Sequence, residues 1–114
     1  MTRLALLAAV AALTASPALA ALKEGAVAPD FTLQGFQAGK PLTFSLADAR
    51  KKGPVVVYFF PAADTPGCNI EAKMFADAMD QFKAKGATVI GVTAGNLDKL
   101  QGFSASTEPF GAIT

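Results

Sequence analysis

An α/β fold with parallel strands is what this sequence predicts, and three features predict it. Residues 55–60, VVVYFF, and residues 88–93, TVIGVT, are unbroken apolar runs that suit strands covered on both faces. An amphipathic stretch opening at Thr65 and Pro66 separates them. A second helical stretch, residues 97–106, follows the later run. Strand, helix, strand, helix in this order needs a parallel crossover of the thioredoxin-like kind.

The chain has 114 residues, enough for one small domain, with 10 Lys and Arg against 9 Asp and Glu. That balance gives no bias toward nucleic acid or other polyanions. Apolar residues make up 52% and charged residues 17%, a composition that argues against disorder. Part of the apolar share sits in residues 1–20, MTRLALLAAVAALTASPALA, where Arg3, an apolar core and Ala18-Leu19-Ala20 form a secretory-signal pattern. The expectation is a signal peptide at 1–20, a domain at 21–114, and export to the periplasm without stable membrane association after cleavage. The alternative is an N-terminal anchor helix that stays attached, against which Pro17 and the short apolar core speak.

The first expected element of the domain is a short strand at residues 31–33, after the turn-rich GAVAPD. A Gly39-Lys40-Pro41 turn and a second short strand at 42–44 follow, and Ser45 is placed to cap one helical turn. Residues 51–54 form a basic, solvated loop. Then comes the 55–60 strand, which Pro61 ends.

Thr65 is a favoured N-cap and Pro66 a favoured first helical residue, so Gly67 is the second position of the helix and Cys68 the third. The helix is expected to run unbroken to about Lys85, with Gly86 as its stop. Cys68, Ala72, Phe75, Ala78, Met79 and Phe82 share one stripe facing a core. After the 88–93 strand, Asn96 is placed to cap the final helix, and the Phe-Gly-Ala-Ile near the end reads as the start of a further strand.

Cys68 is the one cysteine of the chain, and there is no histidine. No intramolecular disulfide, Cys-His dyad or ordinary zinc site can be built from that inventory. In the first turn of a helix, unsatisfied N–H groups and the positive end of the macrodipole favour the thiolate, which is the nucleophile. Thr65 stands three residues earlier, close enough for its hydroxyl to bond an incoming oxygen, and Pro61 shields one side of the pocket from water. Inert readings stand beside these: Cys68 as packing, Thr65 as a cap only, and Met74 and Met79 as core filler.

PAADTPGC at 61–68 resembles the Pro-x-x-x-Thr-x-x-Cys site of the peroxiredoxins, and residues 55–75 are similar to the bacterioferritin-comigratory, or peroxiredoxin Q, branch. The resemblance runs over roughly residues 24–106. It implies Cys68 as peroxidatic cysteine, Thr65 orienting the peroxide, Pro61 shielding the pocket, and no metal or haem. It further implies peroxide substrates and a thioredoxin-like, glutaredoxin-like or small-thiol reductant.

Two departures from the family pattern matter. Lys73 stands where many relatives carry a resolving cysteine, which implies a one-cysteine mechanism with an external thiol. The family's later-strand arginine has no counterpart, since beyond the leader the chain holds only Arg50, upstream of the site. The expected fold is therefore an incomplete thioredoxin-like one, lacking its C-terminal strands and helix. The competing functional reading is a non-catalytic remnant that binds a partner through an open sheet edge. A thiol-disulfide oxidoreductase is disfavoured for want of a second cysteine.

Overall fold

The computed structural model describes residues 21–106 and 111–113; the expected signal segment at 1–20 lies outside them. The elements run β1 (Thr32–Gln37), β2 (Lys40–Ser45), α1 (Leu46–Arg50), β3 (Val55–Phe59), α2 (Pro66–Asp77), α3 (Met79–Ala84), β4 (Thr88–Val92), a 3-10 turn (Leu97–Lys99), α4 (Leu100–Ser106) and β5 (Gly111–Ile113). The strands form one sheet in the order β2-β1-β5-β4-β3. The expected α/β class and the parallel pairing of β3 with β4, Val55 opposite Thr88 through Phe59 opposite Val92, are both present.

The amino-terminal strands pair as an antiparallel hairpin, from Thr32 opposite Ser45 to Gln37 opposite Lys40. The expected Gly39-Lys40-Pro41 turn is displaced. Ala38 (φ 53) and Gly39 (φ 75) make the turn, a pair of left-handed residues whose twist matches the strands. Pro41 falls inside β2, tolerable because β2 is an edge strand and needs fewer ladder donors. From the other end of the domain α4 holds this turn: Gly39 N–H donates to Ser104 Oγ at 3.1 Å, and Gln101 Nε2 donates to Gly39 O at 2.9 Å. Ser45 caps α1 as expected, accepting from Asp48 N–H at 3.3 Å.

β5 lies between the hairpin and the parallel pair, antiparallel to β1 and parallel to β4. The expected further strand is thus the link that makes one sheet of two parts.

Side chains of β3 alternate between two cores, as the pleat requires. Val56 and Tyr58 pack on a cluster of Phe60 and Ala63 from the loop after β3, Cys68 and Ala72 of α2, Met79 of α3, Val89 of β4, and Leu100 and Phe103 of α4. Val55 and Val57 face the opposite way, onto Phe44, Leu46 and Ile90. The second core is smaller, with three buried residues against eight in the first among the described residues, and α1 contributes Leu46 and Ala49 to it. Both faces of β3 are therefore packed, as expected, but unevenly: Val55 and Val57 are half-buried on the second core, Phe59 at the strand's end is 77% exposed, and β3 is an edge strand among the described residues.

The expected stripe is present, with Cys68, Ala72 and Met79 buried and Phe75 and Phe82 packed beside them. The expected single helix to Lys85 is not. Ala78 (φ −90, ψ 0) is the cap residue that divides α2 from α3, although no Pro or Gly lies between residues 68 and 85.

Candidate functional site

The chain leaves β3 at Phe59, and Phe60 N–H still extends the ladder to Val92 O at 3.0 Å. Pro61 follows, ending the strand as expected but exposed to solvent. The loop then turns inward at Ala63, which is fully buried, and outward at Asp64, which holds a left-handed conformation (φ 57). Thr65 is extended (φ −118, ψ 150) at the N-cap position of α2, Pro66 is the first helical residue, and Cys68 is the third.

Thr65 occupies the cap without capping. Its hydroxyl donates backwards to Ala62 O at 3.1 Å, and no side-chain bond to the helix forms. Its backbone carbonyl takes the first intrahelical bond, from Asn69 N–H at 2.8 Å. A hydroxyl whose hydrogen is so committed keeps its lone pairs as acceptors, directed by the loop rather than by the helix.

Cys68 is a free thiol at 7% exposure, its side chain in the core shared with Phe60 and Met79. Tyr58 lies close to it. The ring stacks on Phe75 at 4.4 Å between centroids, and the phenol is held well above its usual acidity range by burial, then by the charge of Glu71 and then by that of Cys68. Tyr58 is therefore a group near the thiol that sequence reasoning passed over, and Glu71 acts on the same phenol. The signal was a lone hydroxyl-bearing aromatic inside the 55–60 run, which reads as apolar filling.

Two other residues fall where the sequence put them. Arg50 lines a groove with Val55, Val57 and Phe59, on the face of β3 opposite to Tyr58 and hence away from Cys68. Lys73 points to solvent and binds Asp77 through its Nζ at 2.8 and 3.0 Å.

Asn96 departs from expectation. It makes no side-chain cap on the helix that follows, because it sits in a left-handed conformation (φ 54, ψ 46) and its Nδ2 donates to Ala63 O at 2.9 Å.

Fold and site together define a class: a thioredoxin-fold protein with its thiol in the first turn of the helix that follows a parallel strand. The chain belongs to the AhpC/TSA family, whose model matches residues 25–112. Among curated relatives, the chloroplastic peroxiredoxin Q of Sedum lineare is 38% identical over 85 residues, covering 75% of this chain and 44% of that protein. That of Gentiana triflora is 42% identical over 85 residues, covering 75% and 37%. Of solved structures, peroxidoxin BcpB of Mycobacterium tuberculosis superposes with a TM-score of 0.63 at 32% identity, over 75% of this chain and 55% of that one. A variant of Xanthomonas campestris peroxiredoxin Q gives 0.59 at 26%, over 71% and 50%. The chain spans less than half the length of these curated relatives and about half of these solved ones.

The expectation of periplasmic export is overturned by these comparisons, since the curated relatives are named as chloroplastic proteins. The physical reason for the error is that the acid-free composition of residues 1–20, rich in Ala and Leu with Thr, Ser and one arginine, is compatible with more than one targeting route.

Proposed function

We propose that this chain carries the peroxide-reducing half of a thiol-dependent peroxidase, with Cys68 as nucleophile, Thr65 as the residue that orients the peroxide, and Pro61 as the outer wall of the site. Membership of the AhpC/TSA family and likeness to peroxiredoxin Q proteins support the reaction type. The single observation that carries the assignment to residues is Cys68 at the third position of α2, directly behind Thr65.

In the reaction a sulfur lone pair of the Cys68 thiolate forms an S–O bond to the terminal peroxide oxygen as the O–O bond breaks. The bonding electrons go to the distal oxygen, which takes a proton from solvent and leaves as water or an alcohol. Cys68 is oxidised by two electrons to sulfenic acid, the first and reversible rung of its oxidation ladder. With one cysteine in these 114 residues, reduction falls to an external thiol. A first thiol displaces water to give a mixed disulfide, and a second releases the Cys68 thiol and a disulfide product. Hydrogen peroxide and alkyl hydroperoxides are the substrates of this reading; a thioredoxin-like protein, a glutaredoxin-like protein or a small thiol is the reductant.

The test is peroxide consumption in the presence of a thiol reductant, by the wild-type chain and by Cys68→Ser. Loss of turnover in the variant supports the reading, and equal turnover in both refutes it. Exposed Phe59 and the outer edge of β3 favour the competing reading, a non-catalytic binding module. A sulfenic-acid trap added after peroxide labels Cys68 under the first reading and leaves it unlabelled under the second.

A further inference from the structure

The loop that bears Pro61 and Thr65 is fastened to the segment leaving β4 at the same, carboxyl end of the parallel pair through one residue, Ala63. Both of its backbone polar groups are taken by consecutive residues after β4: Ala63 N–H donates to Gly95 O at 3.1 Å, and Ala63 O accepts from Asn96 Nδ2 at 2.9 Å. Ala63 is fully buried, so neither group has water as an alternative partner. Gly95 is itself steadied, its N–H donating at 3.1 Å to the hydroxyl of buried Thr93. The approach is so close that a Cβ on Gly95 would collide with Pro61 O and come within 2.8 Å of Ala62 Cβ. Asn96 gives up the usual work of an asparagine before a helix to make this bond, holding a left-handed backbone that asparagine tolerates better than most residues.

We propose that Asn96 is a positioning residue for Cys68 chemistry: with Gly95 it clamps Ala63 and so sets where the Thr65 hydroxyl stands relative to the sulfur. The proposal rests on the peroxidase reading for its consequence, though not for its geometry. The path is short and continuous. Asn96 and Gly95 hold Ala63; Ala62, the preceding residue, accepts the Thr65 hydroxyl hydrogen; and Thr65 opens the helix that presents Cys68. Releasing the Ala63 carbonyl frees the loop to tilt away from the β4 end, moving the acceptor that directs Thr65. Because reactivity depends steeply on the alignment of reacting groups, a displacement well under the size of an atom is enough to slow peroxide attack.

Two variants isolate the bond. Asn96→Gly keeps access to the left-handed backbone and removes the donor; Asn96→Asp keeps size and shape and replaces the donor with an acceptor facing the Ala63 carbonyl. Three quantities are measured on the full chain: amide hydrogen exchange at residues 61–65 and at Val89 and Ile90, the second-order rate of Cys68 oxidation by hydrogen peroxide, and the rate of Cys68 alkylation by iodoacetamide.

In both variants the clamp predicts exchange at Ala63 faster by about tenfold or more, with Val89 and Ile90 unchanged. Peroxide oxidation should slow by about tenfold while alkylation, which needs no oriented oxygen, holds or rises. Unchanged exchange at Ala63 overturns the clamp. Peroxide and alkylation rates that fall together, or a peroxide rate within about twofold of wild type, overturn the positioning role. A wild-type chain inert to peroxide sinks the peroxidase reading and with it the role of Asn96 in the chemistry, while the exchange measurement still decides whether the clamp exists.

Discussion

The side chain of Tyr58 lies over Gly91, its partner across the parallel β3–β4 ladder, so closely that a Cβ on Gly91 would stand 2.8 Å from two ring carbons and the phenolic oxygen. This contact seats the Tyr58 ring against Phe75 on the same sheet face that holds Cys68. Gly91→Ala has to displace the ring, and the expected cost is about 1–3 kcal/mol from overpacking. A denaturant midpoint shifted down at unchanged slope checks it, and Tyr58→Leu in the same background should recover part of the loss. A Gly91→Ala variant as stable as wild type shows that the ring is not confined there.

Tyr58 is the chain's one tyrosine, so phenolate absorbance reports on it alone. Burial, Glu71 and Cys68 raise its pKa above the ordinary 10.0, which means the folded state binds the phenolic proton more tightly than the unfolded state does. Its contribution to stability is fully present below pH 10.0 and is lost as the pH rises above that value toward the folded pKa. The expected result is little phenolate at pH 10.0 while the chain is folded, with its appearance at higher pH accompanying unfolding. Tyr58→Phe should flatten the decline of stability in this alkaline range. A free titration centred at the ordinary value in the folded protein contradicts the burial.

Under the proposed reaction Thr65→Val removes the hydroxyl with little change of shape, and Thr65→Ser retains it. Peroxide oxidation of Cys68 is expected to slow by about 10- to 100-fold in the first variant, the equivalent of roughly 1.4–2.7 kcal/mol, and by less than about threefold in the second. Stopped-flow oxidation kinetics at fixed pH separate the two. Equal rates in Thr65→Val and wild type leave Thr65 as backbone only.

The two methionines on opposite sides of the α2–α3 break test how that helix pair is seated. Met79 is buried at 6% exposure and Met74 lies at 67%. Met79→Ala should cost about 2–5 kcal/mol by leaving a cavity beside Ala72 and Val89, and Met74→Ala within about 0.5 kcal/mol of nothing. Equilibrium unfolding measures both; similar losses from the two substitutions contradict the observed phase of the helices.

Much of the site was legible because its signals are local. The Thr65-Pro66 start fixes the register of α2, so the third-position placement of Cys68 follows from four consecutive residues. Apolar runs and their β-branched content announce β3 and β4, and the order of elements compels the parallel pairing. Ser45 caps α1 through an equally local bond, to the amide of Asp48 three residues on.

What the tertiary structure alone decided are the outcomes in which distant residues compete for one group. Asn96 is a good cap by local rules, but the buried carbonyl of Ala63, 33 residues earlier in the chain, takes its donor. Pro41 enters a strand because β2 lies at the sheet edge among the described residues, and the 55–60 run is unevenly covered, with Val55 and Val57 half-buried and Phe59 exposed. Tyr58 looked like one more apolar residue until its ring came to rest over a glycine in another strand. A single chain's propensities record what each segment prefers by itself, whereas burial and unsatisfied hydrogen-bonding groups arise only when segments meet, and there they outweigh the local preference.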